Sequence, residues 1–76
     1  MSDTKKKIIE IIEDFLLTGE ATETASLADD LAIGTYEFIE MILIVQDTFN
    51  IEISDDDMGD LVTVGDLITY VQKIVD

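Results

Sequence analysis

The chain has 76 residues, with no Cys, His or Trp, and 18 acidic residues against four Lys give a net charge of −14 at pH 7. These counts exclude disulfides, thiol chemistry and histidine-based catalysis. They also argue against nucleic acid and anionic membranes as partners, because so acidic a surface repels both.

Hydrophobic residues still make up 47% of the chain, which is too many for a disordered acidic tail. We therefore expect one folded domain over residues 1–76. No apolar run reaches membrane-spanning length, and no secretory signal precedes the first helical pattern. On these grounds we expect a cytoplasmic monomer.

The first predicted helix runs from about Asp3 to Leu17, because its apolar residues recur at helical spacing. Thr18-Gly19 is a suitable stop. Residues 19–34 have no sustained periodicity and are interpreted as a long loop, which Leu27, Leu31 and Ile33 could hold against a core.

The second predicted helix covers about Tyr36 to Phe49, with Thr35 as its N-cap. Its inner face is predicted to be Phe38, Ile42, Val45 and Phe49, with Met41 at the margin. Three apolar residues stand among the acids of the opposite side: Tyr36, Leu43 and Ile44. A solvated helix face normally has fewer, so this side favours a docking surface.

Residues 51–53 alternate as Ile-Glu-Ile, but no second strand is available, so we expect an extended connector. Ser54 and Asp57 form a capping-box pattern before a short helix over Asp55 to Leu61, and Thr63 and Asp66 repeat it before the last helix. That last helix has a predicted apolar stripe of Val64, Leu67, Ile68, Val71 and Val75.

The predicted fold is therefore all-α: a four-helix bundle of three longer helices and one short helix, with a long loop after the first. Its predicted core is Ile8, Ile11, Ile12, Phe15, Leu31, Phe38, Ile42, Val45, Phe49, Ile53, Val64, Leu67, Ile68 and Val71.

Neither a metal site nor a catalytic site is predicted. Counted from Asp55, an EF-hand loop would need glycine at position 6 and glutamate at position 12, where the chain has Asp60 and Asp66. The acids at 55–57 are instead typical of a helix N-terminus. No pattern indicates a pocket that could raise one carboxylate pKa, so we do not expect an enzyme.

Three stretches make the sequence resemble the acyl carrier protein family. They are SLADDL at 26–31, DTFNIEI with SDDD at 47–57, and LVTVGDLI at 61–68 with Tyr70-Val71. Their spacing fits without gaps over most of the chain. The resemblance implies a four-helix bundle and a role in fatty acid or polyketide-like biosynthesis, with basic surfaces of synthase or acyl-transfer enzymes as partners.

The resemblance also implies an Asp-Ser-Leu motif at the start of the second helix, whose serine carries phosphopantetheine. This chain has Gly34-Thr35-Tyr36 there, and its serines are Ser2, Ser26 and Ser54. Thr35 keeps a hydroxyl but adds a methyl group that crowds phosphoryl transfer. We expect the cofactor to be absent from Thr35, which would then be only a capping residue.

Two functional hypotheses remain open. The chain is either a working carrier modified on Thr35, or a carrier-like docking or regulatory protein without acyl cargo. A man-made variant lacking the serine is a third reading, although three adjacent changes exceed what disabling the site requires. In either main hypothesis, the acids would steer a basic partner and the apolar residues would hold it. The predicted partner-binding residues are Tyr36, Glu37, Ile39, Glu40, Leu43 and Asp47.

Overall fold

The computed structural model describes residues 3–16 and 21–75. It contains four helices, α1 (Asp3–Glu13), α2 (Thr35–Phe49), α3 (Asp55–Met58) and α4 (Val64–Val75), and no strand within the described residues. The predicted all-α architecture of three longer helices and one short helix is confirmed. The connector at 51–53 has neither helix nor strand, as predicted.

The core forms where α1 packs against both α2 and α4. Ile8 and Ile12 of α1 are fully buried, since they are four positions apart and share one helix face. The inner face of α4 is buried as predicted from Val64 to Val71, but Val75 lies one turn beyond the packed region and is exposed.

Two helices end earlier than predicted. α1 ends at Glu13, and residues 14–15 form a turn in which Phe15 is half-buried; Leu17 and the predicted Thr18-Gly19 stop lie outside the described residues. α3 ends at Met58 instead of Leu61, because residues 59–60 turn to bring Leu61 into the core.

The inner face of α2 is centred differently from the prediction. Met41 is fully buried with Ile42 and Val45, whereas Phe38 and Phe49 are only half-buried. Half-burial also applies to Ile11, Phe15 and Leu31, which were predicted as core. The buried set further includes residues that the predicted core omitted: Ala21, Ala25, Leu27, Ile33 and Leu61.

The long loop is held against the start of α4 by backbone hydrogen bonds. The Leu27 N–H donates to the Val62 carbonyl at 2.9 Å, and the Val64 N–H donates to the Ala25 carbonyl at 3.1 Å. This short antiparallel pairing buries Leu27 and Ala25. It therefore gives a loop without periodic sequence a defined position.

Gly65 allows the loop to approach α4 closely. Its N–H donates to the Glu23 carbonyl at 2.8 Å, and a Cβ at position 65 would lie only 3.0 Å from that same oxygen. Lys5 of α1 reaches Glu23 from the other side, with Nζ 2.6 Å from Oε2. Both side chains of this pair are about half-exposed, so the pair orients the loop more than it stabilises it.

The capping box predicted before α4 is present. The Asp66 N–H donates to Thr63 Oγ1 at 3.1 Å, and the Thr63 N–H donates to Asp66 Oδ2 at 3.0 Å. The Val62 N–H also donates to Asp66 Oδ2, at 3.1 Å. The backbone hydrogen bond from Thr63, supported by the one from Val62, lowers the pKa of Asp66 because both favour the carboxylate.

Candidate functional site

The predicted attachment position lies at the first residue of α2. Thr35 is not the N-cap: Gly34 takes that place and has no side chain to cap the helix. The cap works from the other direction, since the Gly34 N–H donates to Glu37 Oε1 at 3.0 Å. The prediction that Thr35 is the N-cap was wrong, because the Glu37 carboxylate caps the helix through the Gly34 N–H.

The segment before α2 has an unusual backbone. Ala32 has φ 53°, in the left-handed region where a Cβ is unfavourable. The turn at Ala32 lets Ile33 point into the core while Thr35 is exposed. The chain therefore uses a strained residue to present position 35.

A phosphopantetheine group at Thr35 would need an accessible side chain and space around position 34. Thr35 is exposed, so solvent reaches its side chain. However, a Cβ at position 34 would lie 3.3 Å from Glu37 Oε1. That oxygen is the free end of a flexible side chain, so an aspartate at position 34 would require only a small shift of Glu37.

An apolar cavity of about 330 Å³ opens beside Thr35. It lies between the long loop, the start of α2, and the α3 region. Its lining comprises Ser26, Leu27, Ala28, Asp29, Ile33, Gly34, Thr35, Phe38, Met58, Leu61 and Val62. Two of these residues, Leu27 and Ile33, were predicted from the sequence to hold the long loop against a core, which is a partial signal for the cavity.

The outer face of α2 combines exposed apolar side chains with acids. Tyr36 is 84% exposed, Leu43 56%, Ile44 42% and Ile39 43%. Interleaved with them are the exposed acids Glu37, Glu40 and Asp47. All six predicted partner-binding residues are thus exposed on one helix, and Ile44 extends the face, although the predicted set omitted it.

The acids at 55–57 do not form a metal site. Within residues 3–16 and 21–75, no group of three or more acidic side chains is arranged to hold a metal ion. Instead, the Asp57 N–H donates to Ser54 Oγ at 3.3 Å, which is the Ser54 half of the predicted capping box. None of the helices in the described residues has the length and apolarity needed to span a bilayer.

Comparison with known proteins gives full-length relatives, although no family model matches the chain. The chain is 35% identical to an acyl carrier protein of Porphyromonas gingivalis, with 96% of each chain covered. It is 38% identical to one of Thermobifida fusca, covering 96% of this chain and all of the relative. It is also 38% identical to the meromycolate extension acyl carrier protein of Mycobacterium leprae, over 97% of this chain and 70% of that one.

A solved structure agrees with these relatives. The acyl carrier protein of Enterococcus faecalis superposes with a TM-score of 0.81 at 27% identity, over 93% of this chain and 92% of that one. The relatives are acyl carrier proteins, which are carriers and not enzymes. The chain belongs to the acyl carrier protein family.

Proposed function

We propose that this chain is an acyl-carrier-type module of fatty acid or polyketide-like biosynthesis. It works in the cytoplasm as a monomer and docks to basic surfaces of synthase or acyl-transfer enzymes through the outer face of α2. The observation that carries the proposal is the mixture of exposed apolar and acidic side chains on that one helix.

The two kinds of side chain have different roles in docking. Glu37, Glu40 and Asp47 project a negative field that attracts a Lys- or Arg-rich patch and speeds association. Tyr36 and Leu43 share the centre of the arc and bury their apolar surface on contact. Because binding energy concentrates in central, desolvated contacts, these two residues hold the complex together.

The docking role does not require a covalent tether. Phosphopantetheine, when bound to a carrier, supplies a thiol on which acyl groups travel as thioesters. In this chain the methyl group of Thr35 stiffens and crowds the hydroxyl. Gly34 stands at the position of the motif's aspartate, and its N–H donates to Glu37 Oε1. We therefore propose that Thr35 is unmodified and that the chain acts by docking, with no acyl cargo.

The alternative is a functional carrier modified on Thr35. The observation in its favour is that Thr35 is exposed at the start of α2 and borders the apolar cavity. In that case the same docking face would present a loaded arm to the partner enzyme.

Intact mass distinguishes the two. The wild-type chain and the variants Thr35→Ala, Thr35→Ser and Gly34→Asp/Thr35→Ser are each co-expressed with a broad-specificity phosphopantetheinyl transferase. We expect unmodified wild type and Thr35→Ala, with modification returning only when serine is restored. A mass increase of one phosphopantetheinyl group on wild type, lost in Thr35→Ala, would establish the alternative.

Charge reversal tests docking separately from the tether. Glu40→Lys changes the charge on the outer face of α2. Glu10→Lys makes the same charge change at an exposed position of α1, the helix that packs against α2. Binding is measured against a purified ketosynthase at several salt concentrations. Glu40→Lys should slow association and flatten its salt dependence more than Glu10→Lys does. Equal effects would show that only net charge matters and that the face is not the docking site.

A further inference from the structure

The short helix α3 closes the cavity beside Thr35 while burying little of its own surface. None of its four residues, Asp55–Met58, is buried. Met58 is nevertheless half-buried and forms part of the cavity wall. The position of α3 therefore decides how wide the cavity is, although few apolar contacts hold it there.

The chain is anchored on both sides of α3. On one side, Ile53 is buried and its N–H donates to Gln46 Oε1 at 2.7 Å. On the other side, Leu61 is buried and lines the cavity. Residues 54–60 lie between these anchors as a short arc, and the Leu61 N–H donates to the Met58 carbonyl at 3.2 Å.

One side-chain hydrogen bond ties this arc to α4. Tyr70 Oη donates to Asp57 Oδ2 at 2.7 Å and so joins a side chain of α4 to a side chain of α3. A phenol donating to a carboxylate at this distance makes a charge-assisted bond, which is stronger than one between neutral groups. This bond also raises the pKa of Tyr70, because it favours the protonated phenol.

We propose that the Tyr70–Asp57 hydrogen bond is a latch: it holds α3 against α4 and thereby keeps the cavity beside Thr35 narrow. When the bond is broken, residues 54–60 move as a lid between Ile53 and Leu61, while α1, α2 and α4 stay packed. The latch goes beyond docking by α2 and does not depend on it, since no residue of the docking face takes part.

Amide hydrogen exchange tests the latch residue by residue. Tyr70→Phe removes the hydroxyl and keeps the ring, and Tyr36→Phe makes the same change at an exposed tyrosine on α2. The Met58 and Leu61 amides, which donate to the Ser54 and Met58 carbonyls, report on the lid. In Tyr70→Phe these two should exchange about tenfold faster, as expected for losing one bond to a charged acceptor.

The comparison amides belong to Val45 and Val71, which are fully buried in α2 and α4. Their exchange should change much less than that of the lid amides, and Tyr36→Phe should leave both groups unchanged. Equal acceleration of all amides would show that Tyr70 only adds general stability. Unchanged lid amides would show that the bond does not hold α3. Either result overturns the proposal.

The acceptor of this bond, Asp57, can be tested with a variant and a matched control. Asp57→Ala should open the lid as Tyr70→Phe does, whereas Asp56→Ala, at the exposed neighbouring position, should not. Combining Tyr70→Phe with Asp57→Ala should add little to either change alone, because both remove the same bond. Full additivity would mean that the two residues act separately, and the latch would be refuted.

Opening of the cavity itself can be followed by thiol alkylation, because the chain has no native cysteine. Ile33→Cys places a thiol in the cavity wall, and Ile12→Cys places one in the core of α1. Adding Tyr70→Phe should speed alkylation of the Ile33→Cys variant about tenfold, by the same loss of one bond, and leave the Ile12→Cys variant unchanged. Equal rates with and without Tyr70→Phe would contradict a lid.

Discussion

Replacing Ala32 by glycine should stabilise the fold, which is unusual for an alanine-to-glycine change. Ala32 has φ 53°, and a Cβ in the left-handed region costs about 1–2 kcal/mol. Glycine removes that strain but adds about 0.4–1 kcal/mol of unfolded-state entropy. The difference spans roughly 0–1.6 kcal/mol and predicts a net gain of about 0.8 kcal/mol, because exposed Ala32 loses no packing.

Ala28→Gly is the matched control, since Ala28 is exposed in the same loop and does not have a positive φ. It should cost about 0.4–1 kcal/mol. Urea denaturation followed by far-UV circular dichroism gives both values. If Ala32→Gly destabilised the chain as much as Ala28→Gly does, the left-handed turn that presents Thr35 would be refuted.

Three further changes test the packing and the caps. Gly65→Ala should lower the free energy of unfolding by about 1–3 kcal/mol, because its Cβ would lie 3.0 Å from a loop carbonyl oxygen. Gly59→Ala is the control, since its Cβ meets only an ordinary 3.9 Å contact; equal denaturation midpoints would contradict the difference. Met41→Ala should lower the free energy of unfolding by about 2–5 kcal/mol, because Met41 is fully buried. Leu43→Ala should lower it by less than about 0.5 kcal/mol, because Leu43 is exposed; the reverse order would mean that α2 is rotated. The pKa of Asp66 is lowered in the folded state, so wild type should be more stable than Asp66→Ala at any pH above the carboxyl pKa of the unfolded chain. This advantage should disappear as the pH falls through the lowered pKa of the folded state, and a stability difference that persisted in acid would contradict the carboxylate cap.

Local patterns in the sequence were sufficient for the helices and for one complete cap. Helical spacing of apolar residues predicted α1, α2 and α4, and the Ser54 and Asp57 pattern predicted α3. Thr63 with Asp66 forms the predicted capping box. The start of α2 was misjudged because Glu37 caps it through the Gly34 N–H. Residue preference alone favoured Thr35, which is a good N-cap elsewhere.

Which side of α2 is buried depends on the elements packed against it and not only on the spacing of its own apolar residues. Phe38 borders the cavity, which leaves it half-buried, and the face turns so that Met41 is fully buried with Val45. A helical wheel cannot show this, because the cavity is created by the long loop folding against α4.

The same limit applies to the cavity and to the Tyr70–Asp57 bond. These two residues are 13 positions apart and lie on different helices. Their contact follows from how α3 is carried between the buried anchors at Ile53 and Leu61. No short-range spacing encodes such a contact, so it became visible only in the structure.

The central claim, docking through the outer face of α2, is tested most directly by the dissociation rate from a purified ketosynthase. Leu43 is 56% exposed, and Ile74, the matched control on α4, is 48% exposed. Burying the exposed part of a leucine contributes roughly 1–1.5 kcal/mol, so Leu43→Ala should dissociate about five to twelve times faster than wild type. Ile74→Ala should dissociate at the wild-type rate. If the two alanine variants dissociated equally fast while both remained folded, the outer face of α2 would not be the docking surface.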